Sequence, residues 1–487
     1  MDNAEEIVSK NLTLDPANWE TMRQLGHRML DDMFDHLEHI RDKPAWRKMP
    51  GEAKAFFEHD IPQQPEQIEK IYDEFLGYIF PYNKGNIHPR FFAWVQGTGT
   101  PFGVLSEMLA ATMNPNMALG EHAAMYVERQ VLKWCKQLLH YPETSSGILL
   151  SGGSMANITA LAVAKDKAFG KEMQKPGGGQ PLIYCSTETH SCFQKAVEVL
   201  GLGSGALRKI PVNKDYQINI DDLVKAINED RARGDKPFCI VGNAGTVNTG
   251  AIDPLNELMA ICKQHDLWFH IDGAFGALAK LVPEYALALK AIEEADSIAF
   301  DFHKWMYMPY EIGCVLIRDE EAHRNTFTTK ANYLLTQERG LAAGPEPFNN
   351  YGMELSRGFK ALKVWMCLKE HGLEKYGQLI RQNIAQAFYM GSLIENENRL
   401  ELLSPVTMNI VCYRYIKEGL STEQLNGLNK ELLMQLQEQG IALPSSTILN
   451  GKYAIRVAIV NQRSQKSDFE LLVKETIRIG DELNRAL

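Results

Sequence analysis

The stretch S-I-A-F-D-F-H-K-W, residues 297–305, joins an apolar run (297–300) to Asp301, His303 and Lys304, and a second apolar run, Gly313 to Leu316, follows closely. Short runs of this kind read as buried strands. The ionisable residues then fall where two strand-like segments meet, at a strand's C-terminal end, which is where open α/β sheets bind their ligands. Whether the three form a site depends on how the other strands end.

Four more runs share the pattern: 148–150 (ILL), 182–185 (LIYC), 238–242 (FCIVG) and 267–271 (LWFHI), separated by helical stretches. The alternation predicts a mostly parallel central sheet with helices on both faces. The first run leads into Ser151-Gly152-Gly153-Ser154, and a small-residue loop opening a helix offers amide donors and a positive dipole end to an anion. The others lead to His190, to Thr246 and to Asp272-Gly273-Ala274. Upstream, Asp15-Pro16 marks a helix start, and Trp19, Met22, Leu25, Met29, Met33, Leu37 and Ile40 recur at helical spacing. A second helix carries Ile68, Ile71, Tyr72, Phe75 and Ile79. These readings predict a helical arm over 1–98, whose apolar faces need another surface, of this chain or of a second subunit. A large domain follows over 99–370. A long helical segment near 354–371, with strand-like 408–413 and 453–459, leads to a small α+β domain over 371–487.

A chain of 487 residues is too long for one ordinary core, and 45% hydrophobic with 23% charged residues is an ordinary globular balance. The net charge of -10 disfavours nucleic acid as a partner. The eight cysteines form no CxxC or Cys/His cluster, so reduced thiols, a cytoplasmic protein and no metal centre are expected. No run reaches membrane-spanning length, and the opening MDNAEEIV lacks the order of a signal peptide.

Lys304 beside a carboxylate, a histidine and an anion cradle suggests an amine that loses its proton in a water-poor setting and becomes a nucleophile. Pyridoxal phosphate (PLP) asks for that set: a lysine for its aldehyde, a carboxylate for its ring nitrogen and an anion site for its phosphate. The rival is an α/β serine hydrolase using Ser154, Asp272 and His303, which occur in hydrolase order near an imperfect nucleophile-elbow motif. It leaves Lys304 and His190 without a role.

HPRFFAW (88–94), SGGSMAN (151–157), TETHS (187–191), HIDGAF (270–275), DFHKW (301–305) and RGFKALKVW (357–365) together resemble, in order and spacing, the PLP-dependent group II amino acid decarboxylases. That family includes the aromatic-L-amino-acid, histidine and glutamate decarboxylases. The resemblance implies an α/β, fold-type I (aspartate aminotransferase-like) architecture and conversion of an L-amino acid to its amine and CO2. An aromatic amino acid or histidine ranks first as substrate, ahead of acidic, diamino or aliphatic ones. It further implies that Lys304 carries the cofactor, His190 stacks on its ring, Asp272 keeps the ring nitrogen protonated, and Ala274 packs on the ring with Thr246 nearby. Gly153, Ser154 and His303 would contact the phosphate, with Asp301 on the turn before Lys304. Tyr333, in the Gly/Pro-containing segment 330–347, matches the tyrosine that protonates Cα. Trp94, Gln96 and Asn116 fall in the stretches that line the family's substrate pocket, Gln96 and Asn116 making it more polar, and Arg357 and Arg456 match arginines of its closing loop and small domain, as substrate-binding groups or as surface ion pairs. A homodimer with shared sites is implied.

Overall fold

The computed structural model describes residues 8–171, 179–329 and 337–486, and the chain divides into two compact units, 1–84 and 85–487. In the first, the helix Trp19–Glu38 starts at Asn18 instead of at the expected Asp15-Pro16, because the Asn18 side chain accepts hydrogen bonds from the amides of Glu20 and Thr21. That satisfies two donors a helix start leaves open. A second helix, Ile68–Glu74, runs into a π-helical turn, Phe75–Ile79. The Tyr72 hydroxyl donates to Asp32 Oδ2 at 2.8 Å and links the two helices.

In the second unit the described residues form a seven-stranded sheet in the order Ser146–Leu150, Gly313–Ile317, Ser297–Asp301, Trp268–Asp272, Lys236–Asn243, Pro181–Ser186, Leu207–Ile210. Every pairing is parallel except those of Gly313–Ile317, which is antiparallel to both neighbours. The connection after Lys304 carries no crossover helix, so the chain returns antiparallel. The strands 146–150, 297–301 and 313–317 are buried along their whole length, so they read as unbroken apolar runs, without alternation. In register, Asp272 pairs with Asn243 on one side and Ala299 on the other, while Asp301 pairs with Gly313. The polar strand ends therefore share one edge.

A smaller sheet follows the order Phe91–Phe92, Leu443–Leu449, Lys452–Ala458, Ile410–Tyr415, Leu400–Leu402. Helices Thr422–Glu438 and Lys466–Ala486 accompany it, and Tyr413, Val457, Leu432 and Phe469 meet in its core. The long helix spans Ala361–Glu395, with a break at Gly372 (φ 69°), so it begins later than the sequence suggests. The residues before it are committed elsewhere: the Arg357 carbonyl accepts from the Met117 amide, and its side chain is paired with Glu128.

Candidate active site

A cavity of about 290 Å³ opens at the carboxyl edge of the seven-stranded sheet. Its floor and sides include Gly153, Ser154, His190, Asp272, Ala274 and Lys304, brought together from four strand ends. Trp94, Gln96, Phe275 and Tyr310 supply further wall, and Arg456 enters from the smaller sheet. Close backbone approach shapes the floor. A Cβ on Gly97 would lie 1.5 Å from the His303 carbonyl oxygen, and one on Gly153 would lie 2.9 Å from Asp301 Oδ2. Only glycine allows either contact.

Lys304 sits in the short helix Phe302–Trp305 that follows the strand ending at Asp301. Its Nζ is 2.9 Å from Asp301 Oδ2, with 23% of the lysine side chain and 1% of the aspartate side chain exposed. Burial pulls the lysine pKa down, but Asp301, aided by Asp272, outweighs it and holds the group above its ordinary value. The expectation that this lysine readily loses its proton is therefore reversed: the strand end carries a counter-ion as well as a dry environment.

Asp272 is 7% exposed and accepts from the Ala274 amide at 3.1 Å. Burial raises its pKa against the opposing pull of Lys304, so a cation placed against it, such as a protonated pyridine nitrogen, is stabilised there. His190 Nδ1 accepts from the Cys192 amide at 3.2 Å, which leaves Nε2 to carry the proton. Burial lowers the imidazole pKa against the opposing pull of Asp272, which favours the neutral ring. The helix Gly153–Phe169 opens with no side-chain cap, and its first amides are available to an anion. The His303 ring packs against that turn, 3.3 Å from where a Cβ on Gly152 would stand. This donor set fits PLP: an amine, a buried carboxylate, a neutral flat ring and a helix start, on one cavity wall.

Five described residues expected at the site are not among the cavity's lining: Asp301 and His303, which lie behind Lys304 and the 153–169 helix start, and Thr246, Asn116 and Arg357. The Thr246 hydroxyl pairs with that of Thr249 at 3.1 Å. Asn116 Oδ1 accepts from the amides of Ala118 and Arg357, so the polar character expected of the pocket falls to Gln96. Arg357 is bound to Glu128 and to the carbonyls of Met117 and Leu149. Tyr333 lies outside the described residues. Arg456 does line the cavity; it donates to the carbonyls of Ala93, Val247 and Asn248 and to Ser445 Oγ. The serine-hydrolase arrangement is not formed: His303 Nδ1 lies 2.9 Å from the Ile312 carbonyl oxygen and its Nε2 faces Asp301. Sequence reasoning missed Asn157, Asn243, Phe275 and Tyr310, which also line the cavity. The Tyr310 ring lies 4.4 Å from that of His303, tilted by 35°, and its place just after the lysine turn was the available signal.

The family model described as "Pyridoxal-dependent decarboxylase conserved domain" matches residues 50–416. The chain is 33% identical over 481 residues to the aromatic-L-amino-acid decarboxylase of Bacillus atrophaeus, covering 98% of each chain. It is 30% identical to tryptophan decarboxylase 2 of Oryza sativa subsp. japonica, covering 96% of each. The crystal structure of Oryza sativa TDC with PLP and tryptamine has the same fold, with a TM-score of 0.89 at 23% identity over 97% of this chain and 100% of that one. The chain thus belongs to the pyridoxal-dependent decarboxylase family and is a PLP-dependent amino acid carboxy-lyase.

Proposed function

We propose that this decarboxylase acts on an L-amino acid with an aromatic side chain or on histidine, and that the cavity at Lys304 is where it does so. The observation that carries the reading is the wall itself, in which Trp94, Phe275 and Tyr310 flank the strand-end set, with Gln96, Asn157 and Asn243 as polar members. A bulky flat side chain gains from burial against such rings. The aromatic-amino-acid and tryptophan decarboxylases among its relatives support the same reading.

PLP, when bound, supplies an electron-withdrawing ring that stabilises the electron pair left at Cα as CO2 departs. Lys304 Nζ would provide the amine that holds the cofactor. Asp272 would keep a proton on the ring nitrogen, His190 would hold the ring, and the start of the 153–169 helix, with Ser154 and His303, would hold the phosphate. Arg456 has no carboxylate among its described hydrogen-bond partners, which suits it to the substrate's carboxylate. Tyr333, by the family resemblance, would deliver a proton to Cα. A homodimer fits the first unit, where Trp19, Met22, Met29 and Phe34 stay exposed along one helix. A reducing compartment such as the cytoplasm fits eight free, buried cysteines, and among the described residues no helix is long and apolar enough to cross a membrane.

The test is mass spectrometry of the products formed by the PLP-loaded protein from aromatic amino acids, histidine, and acidic, diamino and aliphatic ones. Amine from the aromatic group or histidine is expected. Amine from one of the other classes alone would overturn the substrate assignment.

A further inference from the structure

Asp301 is a buried carboxylate with one cation. Its Oδ2 meets Lys304 Nζ at 2.9 Å, while its Oδ1 is buried with no hydrogen-bond partner. Around Oδ1 is glycine backbone: a Cβ on Gly313 would lie 2.6 Å from it. His303 Nε2 stands 3.8 Å from Oδ2, and burial lowers that imidazole's pKa, which leaves it neutral. The other titratable groups facing the pair are Asp272 from the neighbouring strand, His190 and Cys192 from the turn after Pro181–Ser186, and Tyr310.

A lysine that acts as a nucleophile must first be neutral. If its proton went to solvent, Asp301 would be left as an uncompensated buried charge, the most costly state such a group can occupy. We propose that Asp301 is the base that takes the proton from Lys304 Nζ whenever that amine must act as a nucleophile, so that the proton stays inside the site. The N–H bond breaks with its electron pair remaining on nitrogen, and an O–H bond forms at Oδ2. The pair passes from ammonium and carboxylate to amine and carboxylic acid, with no change in net charge and no co-reactant. Both forms hold one proton, so the fraction present as free amine does not depend on pH while the pair keeps that proton. The inference rests on the reading that Lys304 carries the cofactor.

The test strips the full-length protein of PLP and follows reloading by absorbance from about pH 6 to about pH 8.5, for the wild type and for Asp301→Asn. Taking the ratio of the two rates at each pH cancels the cofactor's own protonation. The wild-type rate is expected to change by less than about threefold, while the variant's rises about tenfold per pH unit until its lysine is neutral. Parallel profiles, or a wild-type slope of about tenfold per unit, would overturn the proposal. Should Asp301→Asn not fold, the pH profile of Lys304 acetylation in the stripped wild type, read by peptide mass spectrometry, decides the matter. A flat profile supports the internal transfer and a steep one defeats it. Borohydride reduction and peptide mapping of the reloaded protein separate the two levels. Cofactor on another lysine sinks the site reading, whereas cofactor on Lys304 with parallel profiles sinks only the role of Asp301.

Discussion

Arg357 and Arg456 are 5% and 3% exposed, yet their partners assign them different work. Arg357 is neutralised by Glu128, which is itself fully buried. Arg357→Ala leaves that carboxylate unpaired and is expected to cost about 3–5 kcal/mol, read as a lower urea midpoint with KM unchanged in the folded enzyme. A raised KM at unchanged stability would restore it to the substrate. Arg456 is held by carbonyls at the cavity wall, and Arg456→Lys, which loses the planar fork, is expected to raise KM about tenfold while cofactor uptake persists. Unaltered KM would remove it from the site. Tyr333→Phe is expected to lose amine and gain aldehyde, and product mass spectrometry showing undiminished amine would end that role. At this scale the sequence was legible where residue type and strand end coincide, as at Asp272 and Lys304. It was misleading where a neighbour three residues away reverses a pKa, as Asp301 does for Lys304.

Among elements, the strands buried along their length declared themselves through unbroken apolar runs, and the strands of mixed polarity did not. Leu207–Ile210 carries Arg208 and Lys209, and Leu443–Leu449 carries Pro444, two serines and a threonine, so neither shows a strand's apolar signal. One element contact offers a pH handle. His323 joins the edge strand at Ser146 Oγ (2.8 Å) to the Tyr351 carbonyl (2.8 Å), and burial lowers its pKa from 6.5 to about 4. Below the unfolded value the unfolded chain binds a proton that the folded one refuses, so this histidine's contribution to stability falls as pH drops from 6.5 towards 4. His323→Gln is expected to be the less stable form at neutral pH. Its deficit should shrink by about 1.4 kcal/mol per pH unit below the unfolded value, measured by urea denaturation across that range. A deficit constant with pH would show that His323 is already protonated in the folded state.

For the whole molecule, the site depends on the smaller sheet gripping the loop that follows Lys236–Asn243. Arg456 holds the carbonyls of Val247 and Asn248, Thr447 donates to Asn248 Oδ1 at 3.0 Å, and Thr407 donates to the Gly250 carbonyl at 3.0 Å. No periodicity in the sequence announces such a grip, because its contacts join residues some two hundred positions apart; the αβ alternation and the motif order carried the fold instead. Light scattering is expected to give the mass of a dimer, and a fully active monomer would remove the arm's assigned purpose. On the proposed reading, this chain decarboxylates an aromatic amino acid or histidine in the cavity at Lys304. Release of labelled CO2 from carboxyl-labelled L-tryptophan, L-tyrosine, L-phenylalanine and L-histidine is to be measured for the wild type and for Lys304→Ala at equal PLP. The wild type is expected to release CO2 and amine in equal amounts from at least one of them, with a loss of at least about 1000-fold in the variant; a variant that keeps wild-type turnover would contradict the role of Lys304.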